Sequence, residues 1–224
     1  MKKESIIIIG GGGHAKVVID LIESVGQYKI LGIVDGAFKT GSKVLNYEVL
    51  GSDDLLPDLL KDGIRFAALG IGSWGDNQLR ENIYKRVTSL GFKFPTLIHA
   101  RAYVSAHAKL SHGVQVMSKA CVQPSATIGE NSVVNTATIV EHDCILGSHV
   151  YTGSNVILSG KVIVKDSAFI GSGACVIPEM MIGTQSLVAA GAVVVEDVKD
   201  YEKVKGVPAK SYMIKSHKAH VTSA

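Results

Sequence analysis

The second half of the chain repeats its hydrophobic residues every six positions. From Val104 to Val194, each sixth residue is Val, Ile or Leu except Thr152, and a mostly small side chain follows many of them four positions later. Neither an α-helix, with about 3.6 residues per turn, nor a strand that alternates every two residues has this period. Three hexapeptides make one triangular coil of about eighteen residues. The repeat therefore predicts a left-handed parallel β-helix with aliphatic residues inside and small residues at its corners.

Thr152 is the one polar residue on this repeat. We expect it to interrupt the hydrophobic stack close to Tyr151. The substitution Thr152→Val should leave folding intact or raise stability modestly, because it restores the aliphatic pattern. A large loss of stability would instead indicate a buried hydrogen bond of the hydroxyl.

The first 97 residues alternate strand and helix patterns. Short apolar runs predict buried strands at 6–9, 30–34, 49–51 and 66–71, and apolar spacing predicts helices at 16–24, 53–61 and 77–90. About four strands make half of a Rossmann unit, which suits a mononucleotide-sized ligand and argues against hydride transfer with NAD. We predict an α/β half-Rossmann domain at 1–97, a β-helix at 98–214 and a polar tail at 215–224.

Composition and charge narrow the class of protein. Apolar residues make up 46% of the chain and charged residues 19%, and the net charge of +3 is too small to indicate nucleic-acid binding. Cys121, Cys144 and Cys175 fit neither a disulfide framework nor a zinc knuckle, and they suit a reducing cytosol. The apolar run of four isoleucines at 6–9 is too short for a signal peptide or a membrane span. We expect a cytoplasmic protein without membrane partners.

A glycine-rich turn joins the first predicted strand to the first helix. Gly10, Gly12 and Ala15 fit the pattern G-x-G-x-x-A, whose glycines let a phosphate approach a helix N-terminus. Asp35 ends the second strand, where such folds often hold a ribose hydroxyl. The alternative is a tight turn that binds no ligand.

A second loop, at 70–77, is predicted at the same edge of the sheet. It contains Gly72 and Trp74, the only tryptophan in the chain. The indole could stack on a base or sugar ring, or it could cover the sheet edge.

His142 is the candidate catalytic residue of the β-helix. It stands two positions after the inward Val140, so its imidazole is expected outside the prism or at a corner, and Asp143 follows it. Gly160 lies one coil further on. Its missing side chain would let a thin ligand lie close to the backbone, whose N–H could face a reacting carbonyl. The alternative is a surface histidine beside a turn glycine.

Several motifs carry a family resemblance. The β-helix with Gly-Val-Pro-Ala-Lys at 206–210 resembles hexapeptide-repeat acyltransferases, which use acetyl-CoA. Ile-Gly-Gly-Gly-Gly-His-Ala at 9–15, Ile-Gly at 71–72 and Glu-His-Asp-Cys at 141–144 narrow the resemblance to sugar acyltransferases of the PglD/NeuD type, over essentially the whole chain. This implies acetyl transfer from acetyl-CoA to the amino group of a nucleotide-linked 4-amino-4,6-dideoxy-sugar for bacterial glycan synthesis. It also implies a homotrimer without a metal. O-acetylation of a sugar hydroxyl, as on sialic acid, is the alternative.

The same resemblance assigns roles to residues. His142 becomes the general base and Asp143 its acidic neighbour, and the coenzyme lies in a groove between subunits. The implied substrate-binding residues are Gly10, Gly13, His14, Asp35, Gly72 and Trp74, and the implied coenzyme-binding residues are Tyr151, Gly160, Ser172 and Ala190. Two departures matter. Tyr151 stands where many members have a second histidine, and the loop at 71–77 is longer than usual, which leaves the nucleotide open among UDP, dTDP and GDP.

Two rival functions remain. Zinc carbonic anhydrases share the solenoid, and His107 and His112 have a spacing that those enzymes use. Within the solenoid only His99 lies upstream as a third ligand, and His142 is not a whole number of coils beyond His112. The second rival is a non-catalytic nucleotide-binding trimer, in which the placement of His142 beside Gly160 would have no function. Metal analysis tests the first rival, and a thiol-release assay with acetyl-CoA separates all three.

Overall fold

The computed structural model describes residues 3–213, so the tail predicted at 215–224 lies outside the described residues. The N-terminal domain is a five-stranded sheet of order β3-β4-β2-β1-β5, parallel except for the β3–β4 hairpin. Its strands are β1 Glu4–Ile9, β2 Tyr28–Val34, β3 Lys43–Val44, β4 Tyr47–Gly51 and β5 Phe66–Leu69. Its helices are α1 Gly13–Val25, α2 Leu56–Lys61 after a 3₁₀ turn at Asp53–Leu55, and α3 Gln78–Leu90. The predicted α/β fold is confirmed, and hairpin strand β3 is an addition to it.

Successive isoleucines of β1 face opposite sides of the sheet and build two cores. Ile6 and Ile8 pack with α1, whereas Ile7 and Ile9 pack with residues of α2 and α3. A parallel strand covered on both sides needs a continuous apolar run, which is what β1 contains. Both sheet faces are therefore buried, and polar ligands must approach the strand ends.

The β-helix has three flat faces of two-residue strands, and each coil contributes one strand to each face. In the two-residue strands between Tyr103 and Val194 the first residue points outward and the second inward. The last two strands, Lys203–Lys205 and Lys210–Ser211, form an antiparallel pair at the end of the solenoid. Face 1 contains β6 Leu97–Ile98, β9 Gln115–Val116, β12 Val133–Val134, β15 Tyr151–Thr152, β18 Phe169–Ile170, β21 Leu187–Val188, β23 Lys203–Lys205 and β24 Lys210–Ser211. Face 2 contains β7 Tyr103–Val104, β10 Cys121–Val122, β13 Ile139–Val140, β16 Ile157–Leu158, β19 Cys175–Val176 and β22 Val193–Val194. Face 3 contains β8 Lys109–Leu110, β11 Thr127–Ile128, β14 Ile145–Leu146, β17 Ile163–Val164 and β20 Met181–Ile182.

The corners of the prism require a left-handed backbone residue at every sixth position. From Gly113 to Gly191 each sixth residue has a φ between 51° and 71°, and most of these residues are not glycine. Such a conformation costs an L-residue roughly 1–2 kcal/mol. The cost is offset by hydrogen bonds to the preceding coil, such as that from the Asp143 N–H to the Pro124 carbonyl at 3.2 Å. Asp143 is one of these corner residues.

Thr152 makes the buried hydrogen bonds that the hydrophobic repeat did not predict. Its side chain is fully buried, and its Oγ1 donates to the Val133 carbonyl at 3.1 Å and accepts from the Asn135 N–H at 3.0 Å. Thr138 Oγ1 lies 3.4 Å away. These bonds remove the basis for expecting a neutral or stabilising effect of Thr152→Val, because valine would leave the two backbone groups unpaired.

Face 1 packs against the N-terminal domain. Its outward residues Val133 and Tyr151 belong to the same buried cluster as β1 and α1. Three contacts of the Asn77 amide nitrogen, at 2.9–3.1 Å from the carbonyls of His149, Ser167 and Ala168, fix the start of α3 to the coils. β6 pairs with β9, so the predicted domain boundary at 97/98 falls inside a strand of the solenoid.

The helices in the described part of the chain are short. Within residues 3–213 the longest, α1 and α3, have thirteen residues each, and none is long and apolar enough to cross a membrane.

Candidate functional site

A cleft of about 760 Å³ opens at the carboxyl ends of β1, β2 and β5, and we call it the N-terminal cleft. Its volume lies in the range of small-molecule sites, roughly 300–1,000 Å³. All six residues that the sequence suggested for substrate binding line it, namely Gly10, Gly13, His14, Asp35, Gly72 and Trp74. Strands and loops that are distant in sequence thus line one cleft.

The glycine-rich turn presents backbone to this cleft. Gly10 has a φ of +95°, and a Cβ there would lie 2.5 Å from Ile71 Cγ1, so only glycine fits. α1 begins at Gly13 after Gly12, which provides no side-chain cap. A Cβ on Gly13 would meet no atom within 4 Å. The first N–H groups of α1 are therefore open to an anionic ligand at the positive end of the helix.

Asp35 ties the glycine turn to the loop that follows β2. Its Oδ2 accepts from the Gly11 N–H at 2.7 Å, and its Oδ1 accepts from the Ala37 N–H at 2.8 Å. Each carboxylate oxygen still has acceptor capacity for a ligand hydroxyl. Asp35 thus shapes the cleft besides lining it.

His14 is neutral at physiological pH. Burial, and secondarily the charge of Arg80, lowers its pKa to about 4 although a hydrogen bond to Gln115 favours the charged form. Gln115 Nε2 donates to the Leu69 carbonyl at 3.0 Å, which turns Gln115 Oε1 towards His14 Nε2 at 3.3 Å. In this network Nε2 carries the proton and Nδ1 is an acceptor. His14 therefore offers a phosphate no positive charge.

Tyr151, which the family resemblance groups with the coenzyme residues, lies instead in the wall of the N-terminal cleft. Its ring stacks on Phe169 with centroids 5.8 Å apart and lies 5.9 Å from the His14 ring. Burial raises its pKa. Each face with its corner takes six residues, and His142 lies at the corner between faces 2 and 3. Nine residues later the chain has crossed face 3 and reached the strand of face 1 that contains Tyr151. Tyr151 therefore lies on the side of the chain that carries the N-terminal cleft.

Trp74 projects from the rim of the cleft with its side chain fully exposed. The alternative that it covers the sheet edge is wrong, since a covering residue would be buried. The neighbouring Gly75 has a φ of +99°, and a Cβ there would lie 2.6 Å from Leu187 Cδ1, so the loop runs close to the solenoid. Phe38, half-exposed, lines the cleft beside Gly11. The rim thus has aromatic surfaces that suit a base or sugar ring.

His142 and Asp143 form a pair on the surface of the solenoid. His142 Nδ1 lies 2.8 Å from Asp143 Oδ2, and the histidine side chain is 57% exposed. The left-handed backbone at Asp143 belongs to the corner that β13 and β14 flank. When Nδ1–H donates to the carboxylate, the Nε2 lone pair is available to accept a proton.

Gly160 accommodates the imidazole itself. A Cβ on Gly160 would lie 2.7 Å from His142 Nε2 and 2.8 Å from Cε1. The gap that the sequence suggested for a thin ligand is therefore occupied by the ring of His142. Among the described residues the Gly160 N–H has no hydrogen-bond acceptor, and proline occupies the equivalent positions 124 and 178.

The four residues suggested for the coenzyme do not share one surface of the chain. Gly160 lies between faces 2 and 3, whereas Ser172 and Ala190 lie one coil apart between faces 1 and 2. Tyr151 lies on face 1. A groove that includes both edges requires a second chain.

His99, one of the histidines considered as zinc ligands, has protein partners on both ring nitrogens. His99 Nε2 lies 3.2 Å from Asp20 Oδ2, and its Nδ1 accepts from the Arg101 N–H at 2.9 Å. Within residues 3–213 no cluster of three or more His, Cys, Asp or Glu side chains forms a potential metal site. Cys144 is buried and packed, and burial raises its pKa to about 11, which is unsuitable for a nucleophile.

Two residues behind the cleft were missed from the sequence. Arg80 donates to the Ile71 carbonyl and lies 5.5 Å from the Tyr151 ring centroid, and Gln115 orients His14. The sequence indicated Gln115 only weakly, as a polar residue at an outward strand position. Its importance follows from the N-terminal domain, which covers that position. Arg80 gave none, since a helical arginine is usually solvated.

Comparison with known proteins places these features in context. Residues 5–87 match the family described as the PglD N-terminal domain. A histidine variant of perosamine N-acetyltransferase from Caulobacter crescentus, in complex with CoA and GDP-perosamine, is 38% identical, with a TM-score of 0.88 over 94% of this chain and 97% of that one. The acetyltransferase domain of PglB from Neisseria gonorrhoeae, in complex with acetyl coenzyme A, is 35% identical, with a TM-score of 0.87 over 94% and 100% of the two chains.

A curated relative matches over a shorter region. UDP-N-acetylbacillosamine N-acetyltransferase of Bacillus subtilis is 32% identical over 117 residues. The match spans 51% of this chain and about half, 52%, of that protein.

Proposed function

Because this chain belongs to the PglD type of hexapeptide-repeat sugar acetyltransferases, we propose that it transfers the acetyl group of acetyl-CoA to the amino group of a nucleotide-linked 4-amino-4,6-dideoxy-sugar. The observation that carries the proposal is His142, whose Nδ1 lies 2.8 Å from Asp143 while its Nε2 is free to accept a proton. The N-terminal cleft supplies the site for the sugar nucleotide. Cys121, Cys144 and Cys175 are free thiols, in keeping with action in the reducing cytoplasm.

The chemistry needs a base near neutral pH. The neutral amine attacks the thioester carbonyl and forms a C–N bond and a tetrahedral oxyanion. His142 Nε2 takes the proton that the attacking nitrogen loses, and Asp143 stabilises the resulting imidazolium through Nδ1–H. The oxyanion then re-forms the carbonyl, the C–S bond breaks, and CoA leaves as a thiolate that accepts the proton. The free Gly160 N–H beside the imidazole is our candidate oxyanion donor.

The active protein in this proposal is a homotrimer. The N-terminal domain covers face 1, whereas faces 2 and 3 expose apolar residues that include Tyr103, Ile157 and Ile145. Exposed apolar sheet faces of this kind favour association of identical chains.

In the proposed trimer the two halves of the site would come from neighbouring chains. His142 lies at the edge between faces 2 and 3, opposite the N-terminal cleft of its own chain. Ser172 and Ala190 lie on the edge beside the cleft-bearing face. We therefore assign each active site to the cleft of one chain and His142 of a neighbouring chain, with acetyl-CoA in the groove between them.

A thiol-release assay with acetyl-CoA tests the proposal against a panel of UDP-, dTDP- and GDP-linked 4-amino-sugars and against sialic acid as a hydroxyl acceptor. We expect turnover with an amino-sugar nucleotide. His142→Ala should lower kcat about 10²–10⁴-fold, the usual contribution of a general base, and leave the affinity for acetyl-CoA nearly unchanged. Asp143→Asn should lower kcat less, because it keeps the proton acceptor. Near-normal turnover by His142→Ala would refute this mechanism.

A further inference from the structure

Arg80 is a buried cation without a carboxylate partner. Its side chain is only 3% exposed, and its guanidinium donates to two neutral acceptors, the Ile71 carbonyl and Asn131 Oδ1. No ion pair involves it within residues 3–213, and the adjacent Glu81 bonds Lys85 and Ser167 instead. Burial lowers the pKa of Arg80 to about 10, so the group remains charged at neutral pH. An uncompensated buried charge is costly for a folded protein.

The position of Arg80 in its helix adds to this cost. It is the third residue of α3, where the helix dipole is positive and disfavours a cation. α1 also directs its positive end at the N-terminal cleft. The N-terminus of α1 and the buried guanidinium thus raise the potential beside the cleft, which favours an anionic ligand there. The N-terminus of α3 adds little to it, because Asp76 Oδ1 accepts from the Gln78 N–H at 2.8 Å and Glu81 stands in the first turn.

Arg80 lies directly behind the wall of the cleft. Ile71, whose carbonyl it binds, and Leu79, its neighbour in α3, both line the cleft. Its Cζ lies 5.5 Å from the centroid of Tyr151, another lining residue. The charge also reaches His14 across the wall, because it contributes to the lowered pKa of that histidine.

The described lining of the cleft contains no lysine or arginine, and Asp35 is its one formally charged residue at neutral pH. A nucleoside diphosphate in the cleft would therefore contact no cationic side chain of its own chain within that lining. Coulomb attraction through the poorly solvated wall can replace such a contact, because a low effective dielectric strengthens it.

On the basis of the proposed function, we propose that Arg80 is a positioning residue that selects a diphosphate over a monophosphate in the N-terminal cleft. It acts through its charge from behind Ile71 and Tyr151, together with the N-terminus of α1, and does not contact the ligand. The competing role is purely structural, in which Arg80 only fixes the 71–77 loop to the solenoid through Asn131.

Calorimetric titration of the full-length protein separates these roles. GDP, UDP, dTDP and the corresponding monophosphates are titrated into wild type, Arg80→Met, Arg80→Lys and the control Arg86→Met, which removes an exposed arginine of the same helix. Arg80→Met should weaken the best diphosphate by roughly 10- to 100-fold and the monophosphate distinctly less, because the Coulomb energy scales with ligand charge. Arg80→Lys should keep the preference for diphosphate, and Arg86→Met should match wild type.

The outcomes are distinguishable. If Arg80→Met weakens both nucleotides by the same factor, or neither, the charge has no selective role and the inference is overturned. If Arg80→Met does not fold, Arg80→Lys decides, because it keeps the charge and loses the paired hydrogen bonds; loss of the diphosphate preference in that variant overturns the inference. If either result overturns the inference on Arg80 while the wild-type protein still turns over a sugar nucleotide, the proposed function is unaffected. Failure of every diphosphate to bind wild type would overturn both proposals.

Discussion

Thr152 stabilises the solenoid through its hydroxyl although it stands at an aliphatic position. Thr152→Val should lower the free energy of unfolding by roughly 1–3 kcal/mol, because the Asn135 N–H and the Val133 carbonyl lose their partner. Thr152→Ser is the matched control, since it keeps the hydroxyl and removes only a methyl group. Denaturation midpoints at one fixed protein concentration measure both losses. A valine variant as stable as wild type would contradict the hydrogen-bond account.

His14 makes the stability of the protein depend on pH. Its pKa is 6.5 in the unfolded chain and about 4 in the folded one, so the folded state binds fewer protons between these values. Stability is therefore complete above pH 6.5 and is lost as the pH falls towards 4. Between pH 8 and pH 5 the loss from His14 should be roughly 2 kcal/mol. His149, whose pKa burial also lowers, contributes in the same direction.

The variant His14→Gln isolates this contribution. It should lose less stability than wild type between pH 8 and pH 5, as measured by denaturation midpoints. An NMR titration should find His14 neutral at pH 5.5. Protonation of its ring near pH 6.5 in the folded protein would contradict the assignment.

At the scale of the element, the column of residues at the His142 corner positions the imidazole. Gly160→Ala would place a methyl group 2.7 Å from His142 Nε2, and the backbone there accepts alanine because Gly160 is not left-handed. The ring must move, and we expect kcat to fall about tenfold or more with folding retained. Combining Gly160→Ala with His142→Ala should add no further loss of kcat. Additive losses would mean that Gly160 acts independently of the histidine.

In the N-terminal cleft, the start of α1 is the element that we expect to position the sugar nucleotide. Gly13→Val should raise the KM for the sugar nucleotide, because its side chain would fill open space where the first helix N–H groups face the ligand. The KM for acetyl-CoA and the melting temperature should stay close to their wild-type values. Equal increases in both KM values would show that the cleft does not bind the acceptor alone.

The sequence predicts an element well when the type of a single residue shows whether that position is buried or forms a turn. Each aliphatic residue on the repeat identifies an inward strand position, and the glycine pattern identifies the strand-to-helix turn. The corner residues are different, because Lys119, Ala137 and Glu179 adopt left-handed backbone without any residue-type preference that would reveal it. Thr152, Tyr151 and Arg80 depend on partners from other coils or the other domain. Their roles follow from contacts that no local pattern contains.

At the scale of the whole molecule, the proposed trimer would divide the active site between chains. The N-terminal cleft lies against face 1, and His142 lies on the opposite edge of the same coil. A chain with Gly13→Val keeps its histidine, and a chain with His142→Ala keeps its cleft. In mixed trimers the intact cleft of one variant can meet the intact histidine of the other.

Co-expression of the two variants should therefore restore activity that neither has alone. For random assembly at equal amounts, about a quarter of the sites combine an intact cleft with an intact neighbouring histidine, so about a quarter of wild-type turnover is expected. Thiol release at subsaturating acceptor concentration measures it, since Gly13→Val homotrimers are then nearly silent. A double variant with both substitutions in one chain, co-expressed with His142→Ala, is the control and should stay inactive because it supplies no histidine. If each chain instead forms its own complete site, mixing Gly13→Val with His142→Ala gives no more activity than the sum of the separate variants.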